Sequence, residues 1–163
     1  MSVRSIPTTI AGAVHEHVLA YGELDVETGL FLLAPRGADT VSTVAFAGSA
    51  GVTRHRGRFA LSSRAISRLF RHLTDRELVV LAQVHSHRGA AGLSRTDLDH
   101  GFSVEGFTTA VIPNYRRPPH DPRAWGWWRY DHGRWLSIAP YELDSALPAT
   151  AAITFDEDGV HES

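Results

Sequence analysis

Apolar positions along the chain alternate between two spacings. Ile6, Ile10, Val14, His17, Val18 and Tyr21 recur at helical spacing between Pro7 and Gly22. This predicts a helix with a Pro start and a Gly stop. The run Gly29-Leu-Phe-Leu-Leu-Ala34, closed by Pro35, predicts a strand. Residues 41–47 predict a second strand, paired with the first as a hairpin through the turn at 37–39. The Gly/Ser/Arg segment 48–58 reads as a loop or excursion. Leu61, Ala65, Ile66, Leu69, Phe70 and Leu73 mark one face of a second helix. Residues 78–82 are continuously apolar, as in a strand covered on both sides, and run directly into His85. A third helix is expected over 94–104 and a strand over 107–112, closed by Pro113. A loop follows over 114–123, then a hairpin of 124–130 and 134–138 around Asp131-His132-Gly133. Residues 144–163 are acidic and weakly patterned, and receive no element. The whole suggests one domain, 1–163, with its core over about 8–138. Its class is α/β (α+β): a mixed β-sheet flanked by helices.

Composition narrows the chemistry. A length of 163 residues suits one domain with a core of its own. There is no cysteine, which excludes thiolate catalysis and cysteine-ligated zinc. Any metal must be held by histidine, carboxylate or water. The net charge of −2 gives no global attraction to nucleic acid. No stretch approaches the length and apolarity of a signal core or a membrane span, so a cytoplasmic protein with no membrane partner is expected. All 16 basic residues are arginine. Compositional bias explains this, or else escape from modification at lysine.

The informative stretch is His85-Ser86-His87 followed by Ser94-Arg95-Thr96-Asp97. On a strand, residues two apart face the same side, so His85 and His87 can present two imidazoles to one ion. Ser94 is placed to cap the next helix, which puts Asp97 in its first turn, where a carboxylate is favoured. Two histidines and one carboxylate leave a fourth tetrahedral position open, the pattern of a catalytic rather than a structural zinc. Taken alone, Ser94-x-x-Asp97 is equally a helix-capping pair.

This set resembles the JAMM motif of the JAB/MPN/Mov34 zinc metalloproteases, and in particular their bacterial deubiquitinase-like members. In that motif a Glu precedes HxH and then Ser-x-x-Asp. The upstream element here looks like Glu27-Thr-Gly29 and the apolar strand behind it. Without the resemblance, Glu27 is also readable as a solvated carboxylate before a strand. The resemblance covers about 8–138 and implies a JAB/MPN (cytidine-deaminase-like) architecture. It implies one Zn²⁺ on His85, His87 and Asp97, Glu27 as general base and Ser94 as oxyanion donor. It also implies an isopeptidase or peptidase that cleaves after the C-terminal tail of a ubiquitin-like or sulfur-carrier protein, with an adenylating enzyme as a possible partner. Three departures stand out. Arg88 follows His87 where the family usually has Pro, six residues rather than seven separate His87 from Ser94, and Leu30 follows Gly29 where a second Gly is common.

Other residues carry weaker signals. Arg88 and Arg95 flank the motif and can hold a substrate carboxylate or peptide backbone. Arg54 and Arg56, around His55, read as a solvated turn or a substrate rim. His15 and His17 sit about 200° apart on a helix and cannot share an ion. Trp125, Trp127, Trp128 and Trp135 suit core and edge packing or a partner surface. Asp99 should face away from Asp97. The rival to hydrolysis is a non-catalytic MPN scaffold that binds partners. An amidohydrolase barrel needs about 250 residues and is excluded by length, and a nucleic-acid role rests on Arg54–Arg58 alone.

Overall fold

The computed structural model describes residues 4–100, 102–145 and 150–162, apart from the side chains of 96, 99 and 100. Asp99 and His100 therefore fall outside what is described of side chains. The elements in order are β1 (Ser5–Pro7), α1 (Thr8–Glu23), β2 (Gly29–Pro35), β3 (Thr43–Ala47), β4 (Val52–His55), β5 (Arg58–Leu61), α2 (Ser63–Arg76), β6 (Leu78–Ser86), α3 (Arg95–His100) and β7 (Thr108–Ile112). After a 3₁₀ turn (Pro122–Ala124) come β8 (Gly126–Asp131), β9 (Arg134–Ser137), β10 (Glu142–Asp144), β11 (Ala151–Asp156) and β12 (Gly159–Glu162).

The fold is α+β, built on an eight-stranded mixed sheet in the order β12-β11-β3-β2-β6-β7-β8-β9. β2 sits inside it, antiparallel to both β3 and β6. Its alternation divides the core. Leu30, Leu32 and Ala34 pack with Ile10, Val14 and Val18 of α1. Phe31 and Leu33 pack on the opposite face with Leu69 and Leu73 of α2. Both faces are covered, which is why β2 and the 78–82 run read as unbroken apolar stretches. Among the described residues, no helix is long and apolar enough to cross a membrane.

Several expectations need correcting. The segment 48–58 is an excursion rather than a plain loop: β4 and β5 form a separate two-stranded hairpin. Their side chains are half-buried or exposed, so no apolar run announces them. Residues 151–162, which received no element, carry two strands, and buried residues continue past 138. β11 pairs parallel with β3 and buries Ile153 and Phe155, while β12 folds back on it. β10 pairs with β1, which the sequence pattern had merged into the first helix. Finally, α3 ends at His100, shorter than the expected 94–104.

Gly22 is not the helix stop either, since α1 continues to Glu23. A Cβ at Gly22 would lie 1.9 Å from the carbonyl oxygen of Tyr115. The glycine is required by the close passage of that backbone. The turn out of α1 is made by Asp25 in the left-handed region, with φ of 59°.

Candidate metal centre

β2 and β6 run antiparallel with Gly29 opposite His85 and Leu30 opposite Val84. Extending that register sets Thr28 against Ser86 and Glu27 against His87. Hydrogen bonds lock the end of the ladder. Ser86 N donates to Thr28 O at 3.0 Å, and Thr28 N donates to the Ser86 hydroxyl at 2.9 Å. Strand alternation turns Ser86 to one face and His85 and His87 to the other. His87 N donates to Ile112 O of β7, and Glu27 N donates to His55 O of the β4–β5 hairpin, both at 2.8 Å. Glu27 is thus held from both sides and is 5% exposed, not a solvated carboxylate.

Asp97 arrives on α3. Ser94 N donates to Asp97 Oδ2 at 2.8 Å, and Asp97 N donates to Ser94 Oγ at 3.1 Å. This reciprocal pair is a capping box built with Asp. It aims the carboxylate at the histidines, with Oδ1 3.1 Å from His85 Nε2 and Oδ2 3.1 Å from His87 Nε2. The two Nε2 atoms are themselves 3.1 Å apart. Ligand atoms around a tetrahedral zinc at about 2.0–2.1 Å stand roughly 3.3 Å from one another. The donors of this triangle therefore stand about as far apart as zinc ligands do, each Nε2 meeting a different carboxylate oxygen.

The donor chemistry fits a cation as well. His87 Nδ1 lies 3.2 Å from the carbonyl oxygen of Ala90, which can only accept. Nδ1 therefore carries the proton, and Nε2 of the neutral ring offers a bare lone pair into the triangle. His85, His87 and Asp97 thus form a group able to hold a metal ion. Burial alone would push His87 down, but Asp97 and then Glu27 hold its pKa above the usual histidine value. Asp97 is held far below the usual carboxylate range: burial opposes its ionisation, and hydrogen bonds from His85 and His87 outweigh that. The cage stabilises positive charge.

Glu27 Oε1 stands 4.0 Å from His87 Nε2, just outside the triangle. Burial pushes its pKa up to about 7, with the charge of Asp97 adding to the rise and His87 opposing it. A carboxylate poised there exchanges protons at neutral pH. Ser94 Oγ accepts from Asp97 N, and among the described residues its own proton has no acceptor.

The sequence does not reveal the roof over the site. Phe59 of β5 lies against Gly29, where a Cβ would meet the ring at 2.2 Å. A groove lined by Phe59, Gln83, Phe102 and Trp135 leads from His85 and Asp97. It continues between β5 and Gln83 to Ile66 of α2. Trp135 therefore borders the site, whereas Trp125 and Trp127 are buried and stacked on each other.

The arginines separate. Arg54 is tied into the fold. Its guanidinium donates to Ala47 O and Gly48 O at 2.6 Å and to Thr28 Oγ1 at 3.1 Å, and it stacks on Tyr21. It fastens the hairpin to the sheet. Arg56 and Arg88 converge on Asp25, at 2.7 and 3.6 Å, with Arg116 at 3.1 Å. The Tyr115 hydroxyl donates to the same carboxylate at 2.9 Å. Asp25, Tyr115 and Arg116 escape the sequence reading, because four separate loops supply the cluster. Arg95 is exposed at the start of α3. The shortened loop after His87 is pinned by Asn114 N donating to Gly89 O, and it rests on Gly126, where a Cβ would meet Ala91 O at 2.3 Å.

No protein-family profile matches the chain, and no curated protein matches it in sequence. Solved structures do resemble it. A protein from Desulfitobacterium hafniense aligns with a TM-score of 0.66 at 15% identity, over 88% of this chain and 94% of that one. A protein from Salinibacter ruber aligns at 0.55 with 24% identity, over 89% and 94%. Both share the fold. A JAB1/MPN domain protein from Archaeoglobus fulgidus aligns at 0.48 with 14% identity, over 88% of this chain and all of that one.

Proposed function

We propose that this chain is a JAMM-type zinc isopeptidase or peptidase that cleaves after the C-terminal tail of a ubiquitin-like or sulfur-carrier protein. The observation that carries the reading is the placement of a buried carboxyl, Glu27, 4.0 Å from a set of three potential metal donors. A capping pair alone explains neither that carboxyl nor the convergence of His85 and His87. Zinc held by His85, His87 and Asp97 would supply a Lewis acid that acidifies water and polarises a carbonyl.

The chain's own residues supply the rest. Glu27 accepts the proton of the attacking water and returns it to the departing amine. The free proton of Ser94 faces the charge that develops on the carbonyl oxygen, and such a donor contributes roughly 3 kcal/mol in other enzymes. Beside His85 and Asp97 the groove is walled by Phe59, Phe102 and Trp135. Among the described residues β5 pairs only with β4, so its other edge can pair with an extended backbone, which gives affinity with little side-chain demand.

The test is zinc analysis of the purified chain together with cleavage of a ubiquitin-like protein fused through its tail, with and without chelator. Stoichiometric zinc and chelator-sensitive cleavage at the tail are expected. A chain that holds no zinc and cleaves nothing would instead be a partner-binding scaffold.

A further inference from the structure

Glu27 sits one step beyond the last residue that β6 holds. That residue is Thr28, whose backbone is bonded by Ser86 at both its N–H and its carbonyl. The Glu27 amide goes elsewhere, donating to His55 O of β4 at 2.8 Å. Among the described residues no donor hydrogen-bonds the Glu27 carboxyl, and its ion-pair contact is with His87 Nε2 at 4.0 Å. The aim of the carboxyl is therefore set by its backbone. On the side away from Thr28, that backbone is only as fixed as β4.

Among the described residues β4 forms no ladder with the large sheet, since it pairs with β5 alone. Arg54 does the work of a ladder. Its Nη2 and Nη1 donate to Ala47 O and Gly48 O, at the end of β3, both at 2.6 Å. Its Nε donates to Thr28 Oγ1 at 3.1 Å, and its Cζ stands 3.9 Å from the centre of the Tyr21 ring of α1. All three nitrogens are engaged. Two neighbouring residues of β4 thus grip two neighbouring residues at the site: Arg54 holds Thr28, and His55 holds Glu27. A planar guanidinium reaches these acceptors at once through its rigid fork, and a point-charge ammonium does not. The next arginine, Arg56, adds little to this hold, because its pair with Asp25 is made by a side chain 66% exposed.

We infer that Arg54 is a positioning residue for Glu27: it fixes β4 against the end of β3 and against Thr28, and β4 in turn fixes the Glu27 amide. Arg54 itself reaches neither the metal donors nor the groove. Its loss should let the Glu27 carboxyl drift while His85, His87 and Asp97 stay in place, since those three are held by β6, β7 and the cap of α3. The consequence for rate rests on the hydrolase reading, but the hold on Glu27 can be tested without hydrolysis. A misplacement of about 1 Å at a reacting group costs about 10²-fold.

Amide hydrogen exchange of the full chain reads that hold. The amides of Glu27 and Ser86 lie on either side of Thr28, so global unfolding releases both alike, and the ratio of their exchange rates reports local opening at Glu27. Arg54→Met keeps the stem and removes the donors. It should raise the Glu27-to-Ser86 ratio about tenfold, the scale of a lost charge-assisted hydrogen bond. Arg54→Lys keeps the charge, carries the test if the Met variant does not fold, and should also raise the ratio. Ile153→Ala, a truncation in the core under β11, should destabilise the chain and leave the ratio unchanged. Both arginine variants should retain stoichiometric zinc and lose about 10²-fold in kcat on the tail-fused substrate, while Ile153→Ala keeps its kcat. A native ratio in the arginine variants overturns the assignment. So does a raised ratio with native kcat, or full rescue by lysine. A raised ratio in a chain whose native form cleaves nothing leaves the hold on Glu27 standing and counts against the hydrolase reading.

Discussion

Glu27 and His87 face each other across the β2–β6 register, with their side-chain tips 4.0 Å apart. The pairing is set by backbone hydrogen bonds rather than by either side chain, since Ser86 and Thr28 close the ladder between them. Replacing Glu27 should leave the metal cage standing. Glu27→Gln is expected to retain stoichiometric zinc and lose activity by about 10²–10⁴-fold, the range for a general base. His85→Ala should lose both. Metal analysis beside a cleavage assay checks this, and full activity in the Glu27 variant would remove the assigned base.

Ser94 has two jobs that one substitution should separate. Ser94→Ala removes the cap acceptor for Asp97 N, a loss of about 1 kcal/mol. For a domain of this size that lowers Tm by roughly 2–4 °C. If its proton also serves the oxyanion, kcat should fall by about 10²–10³-fold, far more than the cap accounts for. Calorimetry and steady-state kinetics on the same preparation make the comparison.

His17 makes the fold sensitive to acid. Arg54 Nε donates to Thr28 Oγ1, so the Thr28 proton points to His17 Nε2, 2.9 Å away. His17 must be neutral to accept it. Burial, followed by the charge of Arg54, lowers its pKa to about 4. Below about pH 6.5 the unfolded chain takes up a proton at this position, which the folded chain resists down to about 4. Stability is therefore lost as pH falls through that window, by at most about 3 kcal/mol. Urea denaturation of the native chain and His17→Gln between pH 7 and 4 should show the smaller pH dependence in the variant.

Gly29 and Phe59 should be energetically coupled. A methyl group at Gly29 would overlap the Phe59 ring at 2.2 Å and lift the β4–β5 hairpin from the site. Gly29→Ala is expected to cost more stability in the native background than beside Phe59→Leu, with a coupling of about 0.5–3 kcal/mol. A double-mutant cycle by denaturant melts measures it, and strict additivity would show that the ring moves freely.

The metal triad was legible because two local rules sufficed for it: alternation on a strand aligns His85 with His87, and a helix cap orients Asp97. Glu27 was not legible on those terms. Its burial depends on the β4–β5 hairpin, and that hairpin carries too little apolar pattern to be seen. Arg54 looked like a free surface charge because the carbonyls it satisfies, Ala47 and Gly48, are offered only once that hairpin folds back. The cluster on Asp25 draws on loops after α1, β4, β6 and β7, and no sequence spacing connects them. β11 was hidden by distance, since a parallel partner more than a hundred residues away leaves no local turn signal.

That same pairing governs the order in which the protein can be completed. β3 emerges early in synthesis, yet its outer neighbour β11 follows only after β4 through β10. In the interval the growing chain carries an unpaired sheet edge, and Phe31 and Ala45 lack the cover of Ile153 and Phe155. Open edges of this kind invite pairing with other chains. Yield of soluble protein should therefore depend on the segment farthest in sequence from the one it protects.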